Sequence, residues 1–154
     1  MIVYLDSSFV IRRLLGIGKP AEFWGKWEKA YASTLMRTEC FRAANQLRLA
    51  GKLDDAARAR LGTWIETVCS AVTQVPLTDA IIKRASEAYP VAVGTLQAIH
   101  LATLQELEAA HGVKCVLASD DEGLVQAAKA LGYSDASEAE QEKPAEAPEA
   151  KPAE

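Results

Sequence analysis

The sequence predicts a three-layer α/β/α fold, with a short parallel sheet of about four strands between two layers of helices. Apolar runs of strand character alternate with amphipathic helical segments along the chain, and this order favours parallel strands joined by right-handed crossovers. A chain of 154 residues, 49% hydrophobic and 25% charged, is long enough to bury one core. We therefore expect a single α/β domain.

The first strand, Ile2–Leu5, is apolar and rich in β-branched and aromatic residues, as in a strand covered on both faces. Asp6 follows it directly. Ser7 or Ser8 then suits the N-cap of a helix that ends at Gly16, and Asp6 itself is the alternative cap. Ligands of parallel sheets bind beyond the carboxyl ends of the strands. Asp6 is therefore the first candidate site residue.

An aromatic stripe marks the second predicted helix, at 20–31. Trp24 and Trp27 lie on the same face of this helix together with other apolar residues. Such a stripe most often belongs to the core, and a surface that binds a protein partner is the alternative.

A weak strand at 32–34 leads into a long predicted helix at 36–50. Glu39 lies on the inner face of that helix, close to its N-terminal turn, so it brings an acid near the strand ends. The later elements are a helix at 54–70, a strand at 71–75, a helix at 78–89, a helix at 95–111, a strand at 114–118 and a helix at 122–131.

Charge is unevenly distributed along the chain, whose net charge is −4. Residues 134–154 contain seven acids and two lysines among Ala, Pro, Ser and Gln, so residues 1–133 carry a balance of +1. A segment of this composition buries too little apolar surface to fold. The sequence therefore predicts a folded domain at 1–133 and a disordered acidic tail at 134–154.

Membrane and redox signals are weak. No apolar run approaches the roughly 20 residues of a membrane span, and the N-terminus lacks the pattern of a secretion signal, so a cytoplasmic location without membrane association is expected. Cys40, Cys69 and Cys115 are widely spaced and form no CxxC pair. They are therefore predicted to be reduced core residues.

Acids end both the first and the fourth predicted strand. Asp6 follows the first, and Asp120 and Asp121 follow the fourth. If these strands are neighbours, the carboxylates converge in one crevice that Glu39 also reaches. Crowded carboxylates repel one another, and a divalent cation such as Mg²⁺ or Mn²⁺ removes that cost, because hard oxygen ligands are those it prefers. The pattern thus indicates metal-assisted phosphodiester chemistry.

Two other classes of enzyme place carboxylates at strand ends. A phosphatase of the aspartyl-phosphate type needs a second Asp two residues after the first, where this chain has Ser8. A response-regulator receiver needs an Asp closing a central strand, and the third strand here ends at Val75 and Pro76. Both classes are disfavoured.

Four segments in this order resemble the motifs of the PIN-domain nucleases, specifically the VapC-type toxins of toxin–antitoxin pairs. They are Tyr4-Leu5-Asp6-Ser7-Ser8, Thr38-Glu39, Leu96-Gln97-Ala98-Ile99-His100-Leu101-Ala102, which is similar to an "LDAIHLA" helix, and Ala118-Ser119-Asp120-Asp121-Glu122-Gly123-Leu124, which is similar to a "TxDxxL" segment. The resemblance covers residues 1–133, and it implies a PIN-like fold for them.

The resemblance implies a Mg²⁺-dependent (or Mn²⁺-dependent) endoribonuclease that cuts single-stranded or loop RNA. It also implies a homodimer and a cognate antitoxin that keeps the enzyme inactive. Asp6, Glu39 and Asp121 would hold the metal, with Asp120 as a spare acid. Gln97 stands where the family has an acid, so it is either a degraded ligand or a contact to metal-bound water.

Gln97 keeps a carbonyl oxygen but removes a negative charge, so the metal is expected to bind more weakly. The alternative function is therefore a catalytically weakened PIN domain that binds RNA or protein. His100 is interpreted as a packed or hydrogen-bonded structural residue. Ser7, Ser8 and Ser119 are candidates to position water or phosphate by hydrogen bonds. The cationic residues that would steer RNA, or simply form solvated helix faces, are Arg12, Arg13, Lys19, Arg37, Arg42 and Arg48.

Overall fold

The structure is a computed structural model that describes residues 1–18 and 21–141. Within this part of the chain, seven helices alternate with four strands. They are β1 (Ile2–Leu5), α1 (Ser7–Leu14), β2 (Lys29–Ser33), α2 (Leu35–Leu49), α3 (Asp55–Ala71), β3 (Thr73–Val75), α4 (Asp79–Ala85), α5 (Thr95–His111), β4 (Val116–Ala118), α6 (Glu122–Ala130) and α7 (Ala136–Gln141).

The four strands form one parallel sheet in the order β3-β2-β1-β4. Tyr4 at the centre of β1 is in register with Tyr31 on β2 and with Leu117 on β4. The first and fourth strands are therefore neighbours, as the convergence of their terminal acids requires.

Helices cover both faces of the sheet, which confirms the predicted three-layer α/β/α fold with four parallel strands. Val3 and Leu5 on one face of β1 belong to a buried cluster with residues of α1, α2 and α3. Tyr4 on the opposite face belongs to a second buried cluster with residues of α5 and α6. The period-2 alternation of β1 thus separates two apolar cores.

The helix predicted at 20–31 is wrong. Residues 22–25 form a turn, in which Gly25 has a left-handed φ of +75°, and β2 already begins at Lys29. The aromatic periodicity arises because this loop packs on α1. The ring of Phe9 lies 5.5 Å from that of Phe23 and 5.9 Å from that of Trp24.

The outcome for the aromatic stripe is mixed. Phe23 is buried, while Trp24 and Trp27 are half-buried and lie edge to face with their ring centroids 5.4 Å apart. Both indoles pack against the cluster on the α1 side of the sheet, so they contribute to the core and also reach the surface. Lys19 and Pro20 lie outside the described residues.

The boundary predicted for the tail is too early. Asp135 forms a parallel bridge with Leu117, whose backbone N–H donates to the carbonyl of Ser134. Ala136 is fully buried, and α7 follows from it. Composition alone missed this, because one small apolar residue and an open edge beside β4 suffice to add a short segment to the sheet. The rest of the predicted tail, 142–154, lies outside the described residues.

Two other sequence expectations concern cysteines and membranes. Cys40 and Cys115 are buried free thiols and Cys69 is a half-buried one, as predicted. Burial raises the pKa of Cys40 to about 12. Among the described residues, no helix has both the length and the apolar character needed to cross a bilayer.

Candidate metal centre

Three side chains from different elements converge at the carboxyl end of β1. Asp6 follows β1, Glu39 lies on α2 in one helical layer, and His100 lies on α5 in the other. One carboxylate oxygen of each acid and one ring nitrogen of His100 lie within 4.8 Å of one another. The parallel sheet creates this meeting point, because helices from both layers pack against the end of its central strand.

The Asp6 carboxylate is held firmly on one side. Its Oδ2 atom accepts hydrogen bonds from the backbone N–H of Ser8 at 3.2 Å, from the Ser8 hydroxyl, and from the Ser119 hydroxyl at 2.9 Å. Asp6 is thereby the N-cap of α1, which confirms the alternative cap and shows that a serine cap at position 7 or 8 was wrong. The carboxylate is buried, and its Oδ1 atom faces His100.

The two serine hydroxyls also tie the end of β1 to the end of β4. Ser8 Oγ accepts from the backbone N–H of Asp120, and Ser119 Oγ accepts from that of Asp121, both at 3.0 Å. Both hydroxyls donate to Asp6 and hold its carboxylate in place, so they are not free to bind a ligand. Ser7 is the first residue of α1.

His100 lies between the two acids. Its Nε2 atom is 3.4 Å from Asp6 Oδ1 and 3.3 Å from Glu39 Oε2, and its Nδ1 atom shares a 2.8 Å hydrogen bond with the hydroxyl of Tyr4. His100 is 2% exposed. It is packed and hydrogen-bonded, as predicted. Its place within the candidate site was missed, although its spacing of three residues from Gln97 on one helix was a usable signal.

The electrostatics of His100 reflect its neighbours. Burial lowers the pKa of His100, but the close approach of Glu39 and the charges of Asp6 and Asp121 outweigh burial, so the pKa is raised. Burial, together with the charge of Asp6, raises the pKa of Tyr4 far above its ordinary value. Tyr4 therefore stays a neutral phenol that orients the imidazole ring.

Glu39 Oε2 and His100 Nε2 are buried and face each other at 3.3 Å, yet neither makes a hydrogen bond of normal geometry to any residue that the structure describes. Buried polar groups in native proteins are nearly always satisfied. Two carboxylates and an imidazole form a donor set that suits Mn²⁺ and other transition metals, whereas Mg²⁺ would rely on the oxygens. The residues present therefore fit a divalent cation.

Gln97 and Asp121 form a pair next to this cluster. Gln97 Nε2 donates to both carboxylate oxygens of Asp121 at 3.0 Å, and Gln97 Oε1 accepts from the backbone N–H of Gly94 at 2.8 Å. Asp121 also caps α6 by accepting from the N–H of Leu124. The charge of Asp121 helps to raise the pKa of His100, so Asp121 lies near the candidate site. It does not belong to the close cluster of Asp6, Glu39 and His100 found among the described residues.

Asp120 points toward cations rather than toward the cluster. Its Oδ2 atom lies 3.4 Å from Nε of Arg12 and 3.6 Å from a terminal nitrogen of Arg13. Two of the predicted steering arginines thus lie beside the site and pair with the spare acid. Elsewhere on the surface, Arg37 pairs with Glu66 and Arg48 with Asp55.

Comparison with known proteins supports the fold. The chain is similar to the crystal structure of PAE2754 from Pyrobaculum aerophilum, with a TM-score of 0.55 and 18% sequence identity over 90% of this chain and 86% of that chain. At this identity the likeness concerns the fold alone. No protein-family model and no curated protein sequence matches the chain.

Proposed function

We propose that this protein is a divalent-metal-dependent endoribonuclease that cuts single-stranded or loop RNA. The observation that carries the proposal is the convergence of Asp6, Glu39 and His100, where a buried carboxylate oxygen and a buried ring nitrogen make no hydrogen bond to any described residue. Four motifs that resemble those of VapC-type PIN-domain toxins, in the same order along the chain, support it.

Asp6, Glu39 and His100 would hold the ion, with Asp121 beside them. A divalent cation in such a site activates water and neutralises charge that develops on the phosphodiester. The chain's own contribution is preorganisation. Three donors fix Asp6, and the Tyr4 hydroxyl fixes the imidazole of His100. Held ligands lose little conformational entropy on binding a metal.

The biological setting follows from the same resemblance. We propose that the protein is the toxin of a type II toxin–antitoxin pair, acting in the cytoplasm as a homodimer and restrained by a cognate antitoxin. Trp24 and Trp27 are the proposed contacts with a partner, because their rings are half-buried in the isolated chain. Full protection of both indoles from a soluble quencher in the isolated chain would argue against that role.

A second candidate function has a specific observation in its favour. Gln97 replaces an acid of the family's motif, and its amide occupies both oxygens of Asp121. If that pair keeps Asp121 from contributing to a metal site, the chain is a weakened nuclease that acts by binding RNA or protein.

The decisive experiment measures cleavage of a mixed single-stranded RNA pool with Mg²⁺, Mn²⁺ or excess EDTA. Wild type is compared with Asp6→Asn, Glu39→Gln and Gln97→Asp, and with Asp54→Asn as a matched control. Asp54 caps α3 as Asp6 caps α1, accepting from the N–H of Ala57 at 2.6 Å. The control therefore makes the same chemical change at a helix cap outside the site.

Three outcomes are distinguishable. Metal-dependent cleavage by wild type and Asp54→Asn, lost in Asp6→Asn and Glu39→Gln, supports the nuclease. Cleavage by Gln97→Asp alone supports the weakened nuclease. Cleavage that survives in EDTA, or equally in Asp6→Asn, contradicts both.

A further inference from the structure

A surface hollow of about 390 Å³ lies between α2 and α3. Its lining combines cationic, amide, hydroxyl and aromatic groups, unlike an apolar protein-binding groove. The lining residues are Arg37, Thr38, Phe41, Arg42, Asn45 and Arg58.

The hollow follows one face of α2. Thr38, Phe41, Arg42 and Asn45 repeat at the spacing of one helix face. Glu39 lies outside this repeat, and Arg37 and Phe41, two residues to either side of Glu39, fall on nearly the opposite side of the helix. Arg42, three residues beyond Glu39, borders both faces.

Aromatic and guanidinium groups are layered in the hollow. The guanidinium of Arg37 lies 5.0 Å from the ring centroid of Phe41, and that of Arg58 lies 5.7 Å from it. Gly62 on α3 allows the ring to sit there, because a Cβ at Gly62 would approach Phe41 Cε1 to 3.3 Å. Glu66 fixes Arg37, whose Nε donates to both of its oxygens at 3.1 and 3.2 Å.

The charge of the hollow is only partly compensated. Glu66 offsets the charge of Arg37. Arg42 and Arg58 have no carboxylate within 4.0 Å among the residues that the structure describes. Arg42 is exposed and Arg58 half-exposed, so two guanidiniums are available to anions.

We propose that this hollow binds the backbone and one base of single-stranded RNA. Arg42 and Arg58 contact phosphates, and the layered Arg37 and Phe41 provide the flat surface on which a base stacks. Asn45 and Thr38 add hydrogen-bonding groups without charge. The inference rests on the proposed nuclease function for the choice of RNA as the ligand, and on the charged and aromatic groups of the hollow for the place where it binds.

The test measures binding of a fluorescein-labelled single-stranded RNA of mixed sequence in EDTA, by fluorescence anisotropy at several salt concentrations. Arg42→Glu/Arg58→Glu is compared with Arg60→Glu/Lys83→Glu. The control residues are exposed on α3 and α4, do not line the hollow, and give the same change in net charge. The double variant Arg42→Ala/Arg58→Ala removes the charges without reversing them. Circular dichroism of each variant shows whether a loss of RNA binding is caused by misfolding.

We expect the hollow variant to bind about 10-fold more weakly or worse. The slope of log affinity against log salt should fall by about 1.4, since each phosphate contact on a single strand contributes about 0.7. The control should retain the affinity and slope of wild type. Equal weakening in both variants would show that only overall charge matters and would overturn the inference. So would a wild type that binds polyglutamate but not RNA.

Cleavage with Mn²⁺ separates this inference from the proposed function. RNA binding that depends on Arg42 and Arg58, without any cleavage by wild type, would support the hollow as an RNA-binding site and contradict the nuclease function. Metal-dependent cleavage by wild type, with undiminished RNA affinity in the hollow variant, would support the nuclease function and contradict the hollow as an RNA-binding site.

Discussion

The side-chain amide of Gln97 donates to both carboxylate oxygens of Asp121, each at 3.0 Å. An amide partner satisfies the carboxylate without adding charge. In the proposed toxin family an acid stands at that position, and it would repel Asp121 until a cation joined them. With Gln97 in place of an acid, Asp121 is paired in the folded protein without a metal ion. The role of Gln97 can therefore be measured by restoring the acid.

Gln97→Asp should make stability depend on metal. Without metal, the variant loses two hydrogen bonds and gains a like charge beside Asp121, so we expect the free energy of unfolding to fall by about 1–3 kcal/mol in EDTA. Mn²⁺ should recover much of that loss. Urea denaturation with and without Mn²⁺ measures both, and Gln126→Asp, at an exposed position on α6, is the control. An equal loss in both conditions would contradict the interpretation.

Asp6→Asn should separate metal binding from helix capping. Asn is as good an N-cap as Asp, so once Mn²⁺ is removed the variant should lose only what the buried charge adds through Ser8, Ser119 and His100, about 1–3 kcal/mol. Mn²⁺ should raise the thermal midpoint of wild type but not of this variant, since only a ligand that binds the native state stabilises it. The same increase in both proteins would exclude Asp6 as a ligand.

Tyr4→Phe should weaken metal binding although it changes none of the proposed metal ligands. The Tyr4 hydroxyl orients His100 through a 2.8 Å hydrogen bond, and loss of such support typically costs 10–100-fold in metal affinity. Titration calorimetry with Mn²⁺ measures the change. Tyr31→Phe, on the neighbouring strand in register with Tyr4, is the matched control. If Tyr4→Phe binds Mn²⁺ as wild type does, His100 is not a ligand.

The fold was largely predictable because its signals are local. β1 and β4 are continuous apolar runs, and the acids that follow them identified the two loops of the site. The aromatic loop before β2 was not predictable, because Phe23 and Trp24 have helical spacing but pack on Phe9 from a turn. Periodicity does not distinguish these two origins.

Two of the four acids predicted for the site belong to the close cluster, whereas Asp120 and Asp121 lie outside it. Asp6 and Glu39 follow from strand ends and helix faces, and they do meet. His100 was left out because a metal-assisted mechanism does not need a histidine as a base. Its position between two carboxylates depends on the opposite layer, since one of those carboxylates, that of Glu39, lies on α2 while His100 lies on α5. Ser8 and Ser119 are 111 residues apart in the chain and both bond to Asp6, a relationship that no local pattern contains.

Gly123→Ala should reveal the packing of the Gln97 amide. A Cβ at this position would lie 2.8 Å from Gln97 Nε2 and 3.2 Å from Asp121 Oδ1. Ala in place of a helical Gly normally stabilises by up to about 1 kcal/mol, but here the amide must move and its hydrogen bonds weaken. In a Gln97→Ala background the nearer obstacle is gone and only Asp121 Oδ1 has to adjust, so more of the gain should appear. A double-mutant cycle by urea denaturation measures the coupling between positions 97 and 123. Equal stabilisation by Gly123→Ala in both backgrounds would contradict the contact, whereas a coupling of about 1 kcal/mol would establish it.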